Sequence, residues 1–320
     1  MTPLSLFDDA PGGFDRRALG QRLRELAARG VWFGTSSWKY EGWLEQIYTR
    51  ERYQTRGRFS KKLFEESCLA EYSETFPIVC GDFSFYQFPS EAYWRRVFTG
   101  APGALQFAFK VPEEVTVKRW PTHPRYGPRG GQANDSFLNA RIFDGGFARP
   151  LLPYRAQVAV LIFEFGAFPK GSYDTAGDFL RELDPFLGGL PRGFRYAIEI
   201  RNPEFLAPEY FACLRSHNVA HVFNAWTRMP ELPAQAAIEA AYTADFTVAR
   251  ALLSRGRMYE EAVERFSPYQ SVQEENPGAR EGLRVLTRRA LRESQPAFLF
   301  VNNRLEGNAP MTIEGVIAEV

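Results

Sequence analysis

An α/β fold, a single-domain (β/α)8 barrel of the TIM type with an N-terminal capping helix, is predicted by three observations on this sequence. Eight short apolar runs of strand character recur along the chain, and segments with helical periodicity lie between them. No Gly-x-Gly-x-x-Gly follows the first run, as an open dinucleotide-binding sheet would require. The 320 residues exceed one average domain, but α/β barrels of such size fold as one unit.

In chain order, Phe14–Arg29 reads as a helix ahead of the first strand, placed as a cap under the barrel. Residues 1–30 thus form an extension and residues 31–320 the barrel. The strands expected are Val31–Ser36, Ile78–Ser84, Leu105–Val111, Gln157–Glu164, Arg195–Arg201, Val219–Asn224, Ala241–Val248 and Ala297–Asn302. Helical periodicity is clear over Phe59–Phe76, Ser172–Leu183 and Glu281–Glu293. Three connections after strands are long: Lys39–Arg58, Pro112–Ala133 and Ala249–Asn276. Loops at that end of a barrel build its functional face.

A formal net charge of +1 argues against a strongly electrostatic partner, since nucleic-acid domains carry a marked basic excess. Three widely spaced cysteines, Cys68, Cys80 and Cys213, suit buried thiols in a reducing compartment better than a disulfide framework. Met1–Asp9 has neither the basic start nor the apolar run of a secretion signal. No apolar stretch reaches membrane-spanning length, so a soluble, cytoplasmic protein is expected.

Side chains alternate along a strand, so polar residues two apart share a face. In Tyr196-Ala197-Ile198-Glu199-Ile200-Arg201 the isoleucines face the helices, and Ala197, Glu199 and Arg201 face the barrel axis. The same logic brings Ser36, Asp82 with Ser84, Lys110, Glu164, Asn224, Asn302 and Asn303 to the C-terminal ends of their strands. Arg250 falls just beyond the seventh. Polar groups meeting in an apolar barrel need partners. They form either a salt-bridged plug or a site, since chemistry gathers at this end of a barrel. Glu199→Gln separates the two: about 3–5 kcal/mol of stability is lost if the pair with Arg201 is a plug. Function is lost at little cost in stability if the mouth is a solvated site.

The same strand ends carry a family resemblance. Gly34-Thr35-Ser36-Ser37-Trp38-Lys39-Tyr40, followed by Gly42-Trp43, resembles the opening signature of the YecE-like family (domain of unknown function 72). Phe85-Tyr86-Gln87-Phe88-Pro89, Leu105-Gln106-Phe107-Ala108-Phe109-Lys110 and Ala197-Ile198-Glu199-Ile200-Arg201-Asn202 are similar to its later motifs. Asn302-Asn303 with Gly307-Asn308-Ala309 is similar to its closing pattern. The resemblance runs from about residue 31 to 310; it implies the barrel fold and no established reaction. The chain departs from the family pattern at Cys80 and Asp82, Glu164, Asn202 and Leu252, where the family has Glu, Asn, Gln, His and His.

Other chemistry finds less support. His123, His217 and His221 are the only histidines, without His-x-His, His-x-x-Glu or Cys-x-x-Cys spacing, so no metal site and no bound zinc are expected. An all-oxygen Mg²⁺ site on Asp82, Glu164 and Glu199 stays open. No other cofactor is identifiable. Gly-x-Ser-x-Gly is absent and Ser36 has no evident base. Lys110 suits an ion pair better than a Schiff base. Residues 118–131 interleave Lys118, Arg119, His123, Arg125 and Arg129 with Trp120 and Tyr126, a composition that suits phosphate or nucleic-acid contact. Arg284, Arg288 and Arg292 read as an ordinary charged helix face beside Glu281 and Glu293.

The leading expectation is a hydrolase- or lyase-type enzyme acting on an anionic, phosphate-bearing small molecule or nucleic-acid fragment. Glu199, Glu164 and Lys110 are the catalytic candidates; Arg201, Arg250 and Lys110 would hold the anion. Trp38, Tyr40 and Tyr86 would form the apolar walls, and Ser36, Asp82, Asn224, Asn302 and Asn303 the remaining substrate contacts. The competing expectations are a non-catalytic nucleic-acid binder using the 118–131 loop, and a scaffold whose mouth charges are only a plug.

Overall fold

The computed structural model describes residues 14–169 and 171–320; Met1–Asp9, read above as lacking a secretion signal, lies outside the described residues. Eight strands, β1 (Val31–Thr35), β2 (Ile78–Gly81), β3 (Gln106–Lys110), β4 (Val158–Phe165), β5 (Tyr196–Ile200), β6 (Ala220–Ala225), β7 (Thr247–Ala251) and β8 (Ala297–Val301), are all parallel. They pair in chain order, and β8 closes the ring on β1, Val31 opposite Ala297 and Thr35 opposite Val301. This is the (β/α)8 barrel expected.

The principal helices are α1 (Arg16–Ala28), α2 (Lys61–Thr75), α3 (Glu91–Thr99), α4 (Ala176–Gly188), α5 (Pro208–Ser216), α6 (Pro277–Glu293) and α7 (Ala309–Ile317). Their starts are written locally: Asp15, Ser60 and Ser90 cap α1, α2 and α3, and Thr175 forms a capping box with Asp178 on α4. Asn276 and Asn308 cap α6 and α7, each followed shortly by proline. Helix α1 bridges the lower ends of the first and last helices of the ring, Arg24 donating to Glu74 O and Arg22 to Ile317 O. Glu71 of α2 anchors its start. This buried carboxylate accepts from Arg16 Nη1 at 2.9 Å, Tyr53 Oη at 2.7 Å and Thr49 Oγ1 at 2.7 Å.

Two glycines of the opening signature permit close approaches. A Cβ on Gly34 would lie 2.1 Å from Ile78 O on the neighbouring strand, and one on Gly42 1.8 Å from Pro268 O. The second contact seats the loop after β1 against the loop after β7.

The barrel interior is apolar in its lower part, with Ile78, Cys80, Ala108, Val160, Ile162, Ala197, Val222, Val248 and Phe300 pointing inward. At the floor the Arg195 guanidinium lies 5.8 and 5.6 Å from the rings of Phe246 and Phe298. The polar layer sits above this, at the mouth.

Two strands need correction. The seventh strand is not Ala241–Val248 but Thr247–Ala251; Ala241 ends a 3-10 turn. Arg250 is therefore inside a strand rather than beyond it. The second strand stops at Gly81, which leaves Asp82 and Ser84 in the following loop, and Ser84 turns away from Asp82 to donate to Lys110 O at 2.7 Å. The charged face of α6 is as expected: Arg284 pairs with Glu319 at 2.6 Å, Arg288 with Glu281 at 3.3 Å and Arg292 with Glu293 at 3.2 Å. Among the described residues no helix is long and apolar enough to cross a membrane.

Candidate functional site

Strand register decides which charges meet at the mouth. On β4 and β5, Glu164 lies directly opposite Glu199, and both carboxylates point to the axis. Two buried like charges side by side require a counter-charge. It comes from across the barrel, where β7 sends Arg250 over the axis. Arg250 Nη1 donates to Glu164 Oε2 at 2.6 Å and to Glu199 Oε2 at 2.5 Å, and Nη2 reaches Asp82 Oδ1 at 3.3 Å.

Two further cations complete the layer. Lys110 Nζ lies 3.0 Å from Glu164 and 3.9 Å from Asp82. Arg201 donates through Nε to Glu199 Oε1 at 3.0 Å, and its Nη2 lies 3.0 Å from Glu164 Oε2. The outer faces of these cations are aromatic: Lys110 is 3.7 Å from the Phe85 ring centre and Arg201 3.7 Å from that of Trp226. Depth separates the six groups. Glu199 and Arg250 are 0 and 2% exposed, Glu164 6%, Lys110 9%, Arg201 12% and Asp82 34%.

Electrostatics follows from this packing. Burial alone pushes the Glu164 carboxyl up, but Arg201, Lys110 and Arg250 outweigh it and hold the group well below the usual carboxylate range. A carboxylate so strongly held is a poor general base near neutral pH. Burial pushes the Cys80 thiol, beneath Arg250, up to about 12 despite that cation's pull, so it stays protonated and un-nucleophilic. Arg250 is held protonated by Glu199, Glu164 and Asp82 against its own burial.

The inward file also contains Ser36, Asn224 and Asn302, as the alternation predicts. Asn224 Nδ2 donates to Ile200 O at 3.0 Å and Asn302 Oδ1 accepts from Arg304 N at 3.0 Å. Ser36 Oγ, Asn224 Oδ1 and Arg250 Nε are buried without a protein partner.

Other expected contacts lie elsewhere. Trp38 does not wall the mouth: it packs edge-on against Phe83 and lines a groove of about 440 Å³ with Glu65, Glu66, Tyr93 and Arg96, on the outside between α2 and α3. Asn303 is drawn to the start of α7, where Oδ1 accepts from Ala309 N at 2.8 Å. Tyr86 is 60% exposed, beneath the Arg125 guanidinium. Tyr40 does sit at the rim. Burial pushes its phenol up to about 12, opposed by Arg304 and reinforced by Asp82. The three carboxylates of the Mg²⁺ alternative are turned to Arg250, Arg201 and Lys110, which occupy the directions a hard cation would need.

Arg304, which the sequence reading does not single out, completes the rim. It follows β8 by three residues, with its guanidinium 4.5 Å from the Tyr259 ring centre. Its Nε is buried without a partner, and it makes no ion pair among the described residues. Asp82, Glu164 and Glu199 balance Lys110, Arg201 and Arg250, and Arg304 leaves the mouth with one positive charge in surplus. Its place directly after Asn302-Asn303 was the available signal.

The 118–131 loop spends its charges internally. Lys118 pairs with Glu182 at 2.7 Å, Arg125 with Glu113 at 2.9 Å and Arg129 with Glu114 at 3.5 Å. Trp120 and Tyr126 are 5 and 6% exposed, so neither ring offers a stacking face.

Fold and mouth together define a single (β/α)8 barrel with a charged layer at the C-terminal ends of its strands. The model of a protein family, "Protein of unknown function DUF72", matches residues 32–320, and the chain belongs to that family. Among solved structures, a DUF72 family protein from Enterococcus faecalis is similar at 13% identity over 90% of this chain and 95% of that one, with a TM-score of 0.59. One from Thermotoga maritima is similar at 15% identity, over 90% and 98%, with a TM-score of 0.56. At such identities the likeness speaks to the fold. No curated protein matches the sequence.

Proposed function

We propose that the barrel mouth binds a small anionic molecule of the phosphate or phosphate-ester class and acts on it by hydrolase- or lyase-type acid–base chemistry. The observation that supports this best is the surplus cation: Arg304, just after β8, has its guanidinium over the Tyr259 ring and no carboxylate partner among the described residues. An anion placed there would accept charge-assisted hydrogen bonds that the free protein does not satisfy. In this reading Glu164 and Glu199 orient the guanidinium groups. Asp82, the one carboxylate of the layer with substantial exposure, exchanges the proton. Tyr40 and Tyr86 flank the entrance. The nucleic-acid reading of the 118–131 loop would need Trp120 and Tyr126 to leave their packing, which disfavours it.

Arg304→Met is expected to weaken inorganic phosphate binding about 10-fold, the value of one charge-assisted contact, with the urea midpoint unchanged. Isothermal titration with phosphate and with a phosphomonoester reads this directly. Equal affinity in the variant and the parent would remove the basis of the proposal.

A further inference from the structure

On the flank of the barrel, α4 and α5 bring a carboxylate, a thiol and an imidazole together. Asp184 belongs to α4; Cys213 belongs to α5, and His217 caps the same helix four residues later. That spacing puts thiol and imidazole on one helix face. His217 Nε2 lies 2.8 Å from Asp184 Oδ1 and Cys213 Sγ 3.7 Å from the same oxygen. All three ligand atoms lie within 4.8 Å of one another, the one such trio among the described residues.

We propose that Asp184, Cys213 and His217 form a binding site for a borderline-soft divalent cation of the zinc class, with its fourth position open to water. The donor set argues for this class. A thiolate and an imidazole are poor ligands for Mg²⁺ or Ca²⁺, and sulfur, nitrogen and oxygen together suit tetrahedral Zn²⁺. The geometry also fits. Tetrahedral bonds of roughly 2.0–2.3 Å place neighbouring ligand atoms roughly 3.3–3.8 Å apart. The thiol–carboxylate separation already has this value, and the imidazole–carboxylate contact must open by only about 0.5 Å. Asp184 is 60% exposed and can turn to allow it. An Asp–His pair alone would not require the cysteine, and the thiol makes this more than a surface ion pair.

The binding step involves no oxidation. Burial, then Asp184, pushes the Cys213 thiol up to about 11, so the resting group is protonated. The S–H bond breaks, its proton leaves to solvent, and the sulfur lone pair forms the bond to the metal. The spacing rules applied to the sequence predict no zinc because they consider His-x-His and Cys-x-x-Cys pairs. A Cys-x-x-x-His pair on a helix, completed by a carboxylate from its neighbour, falls outside them.

The test uses the full chain without an affinity tag, stripped by a chelator, and titrated with Co²⁺ as a spectroscopic probe. The expected result is one Co²⁺ per chain, with a thiolate-to-metal charge-transfer band and tetrahedral visible bands, displaced by Zn²⁺. Cys213→Ser should abolish the charge-transfer band. His217→Ala should lower Zn²⁺ affinity about 100-fold in competition with a chromophoric chelator, whereas His123→Ala should change neither. A six-coordinate Co²⁺ spectrum without the sulfur band, the same band persisting in Cys213→Ser, or no saturable Zn²⁺ uptake by the parent would each overturn the proposal. The parent protein alone supplies two of these outcomes, so the test stands even if a variant folds poorly.

Discussion

Arg250→Met is expected to lower the free energy of unfolding by about 3–5 kcal/mol, the usual cost of removing one partner from a buried ionic cluster. The measurement is a fall in urea midpoint with little change in slope. The guanidinium is the counter-charge for two carboxylates that strand register forces together. Without it, Glu164 and Glu199 face each other with only Lys110 and Arg201 in support. The loss should depend on pH. Glu164 is held below its ordinary value near 4.5, so its stabilisation is complete above that pH and disappears as the pH falls toward the folded value. With Arg250 gone, one of the three charges that hold it down is gone as well. The gap in midpoint between parent and variant should be full at neutral pH and shrink steadily below about pH 4. A gap that stays constant down to the acid limit would show that the strut acts by packing rather than by charge.

Glu199→Gln is expected to cost about 3 kcal/mol while leaving phosphate affinity within about twofold of the parent. Glu199 uses both carboxylate oxygens as acceptors, Oε1 from Arg201 and Oε2 from Arg250, and is fully buried beneath them. An amide offers one acceptor and one donor, so one guanidinium would meet an N–H instead of an oxygen. For a solvated mouth, the sequence reading expects the reverse: little cost in stability and lost function. The buried position of Glu199 turns that expectation round. Paired urea and phosphate titrations decide it, since unchanged stability with lost binding would return Glu199 to direct contact with the ligand.

These residues show what a sequence pattern can and cannot carry. Alternation with a period of two fixed the facing of Glu199, Arg201, Lys110 and Glu164 correctly, because an extended strand leaves side chains no other choice. It says nothing of depth, which depends on how strands are staggered around the ring. Alternation alone therefore leaves open whether an inward carboxylate is buried in a plug or accessible in a site. The pattern places strand seven too early because Arg250 is a full charge inside a barrel strand, and its partners lie on strands 51 and 86 residues earlier. A local reading places such a residue outside the strand. Trp38 and Asn303 lie in loops, where alternation ends and contacts with α3 and α7 decide direction. Asp184 meets Cys213 and His217 only because α4 and α5 pack side by side, a contact between helices that neither helix encodes alone.

The β1–β8 seam has a consequence for the order in which the chain is made. Val31 must wait for Ala297 before its outer edge is paired, so the ring cannot close until β8, the last strand of the barrel, has left the ribosome. Glu164 and Glu199 are synthesised well ahead of Arg250, and the charge that reconciles them arrives with the seventh of eight strands. A nascent partial barrel therefore has an open edge and a frustrated acidic pair together, and both are relieved only once β7 and β8 have been made. A partial barrel that ends before β7 thus lacks both its closing edge and its central counter-charge, which disfavours a stable half-barrel.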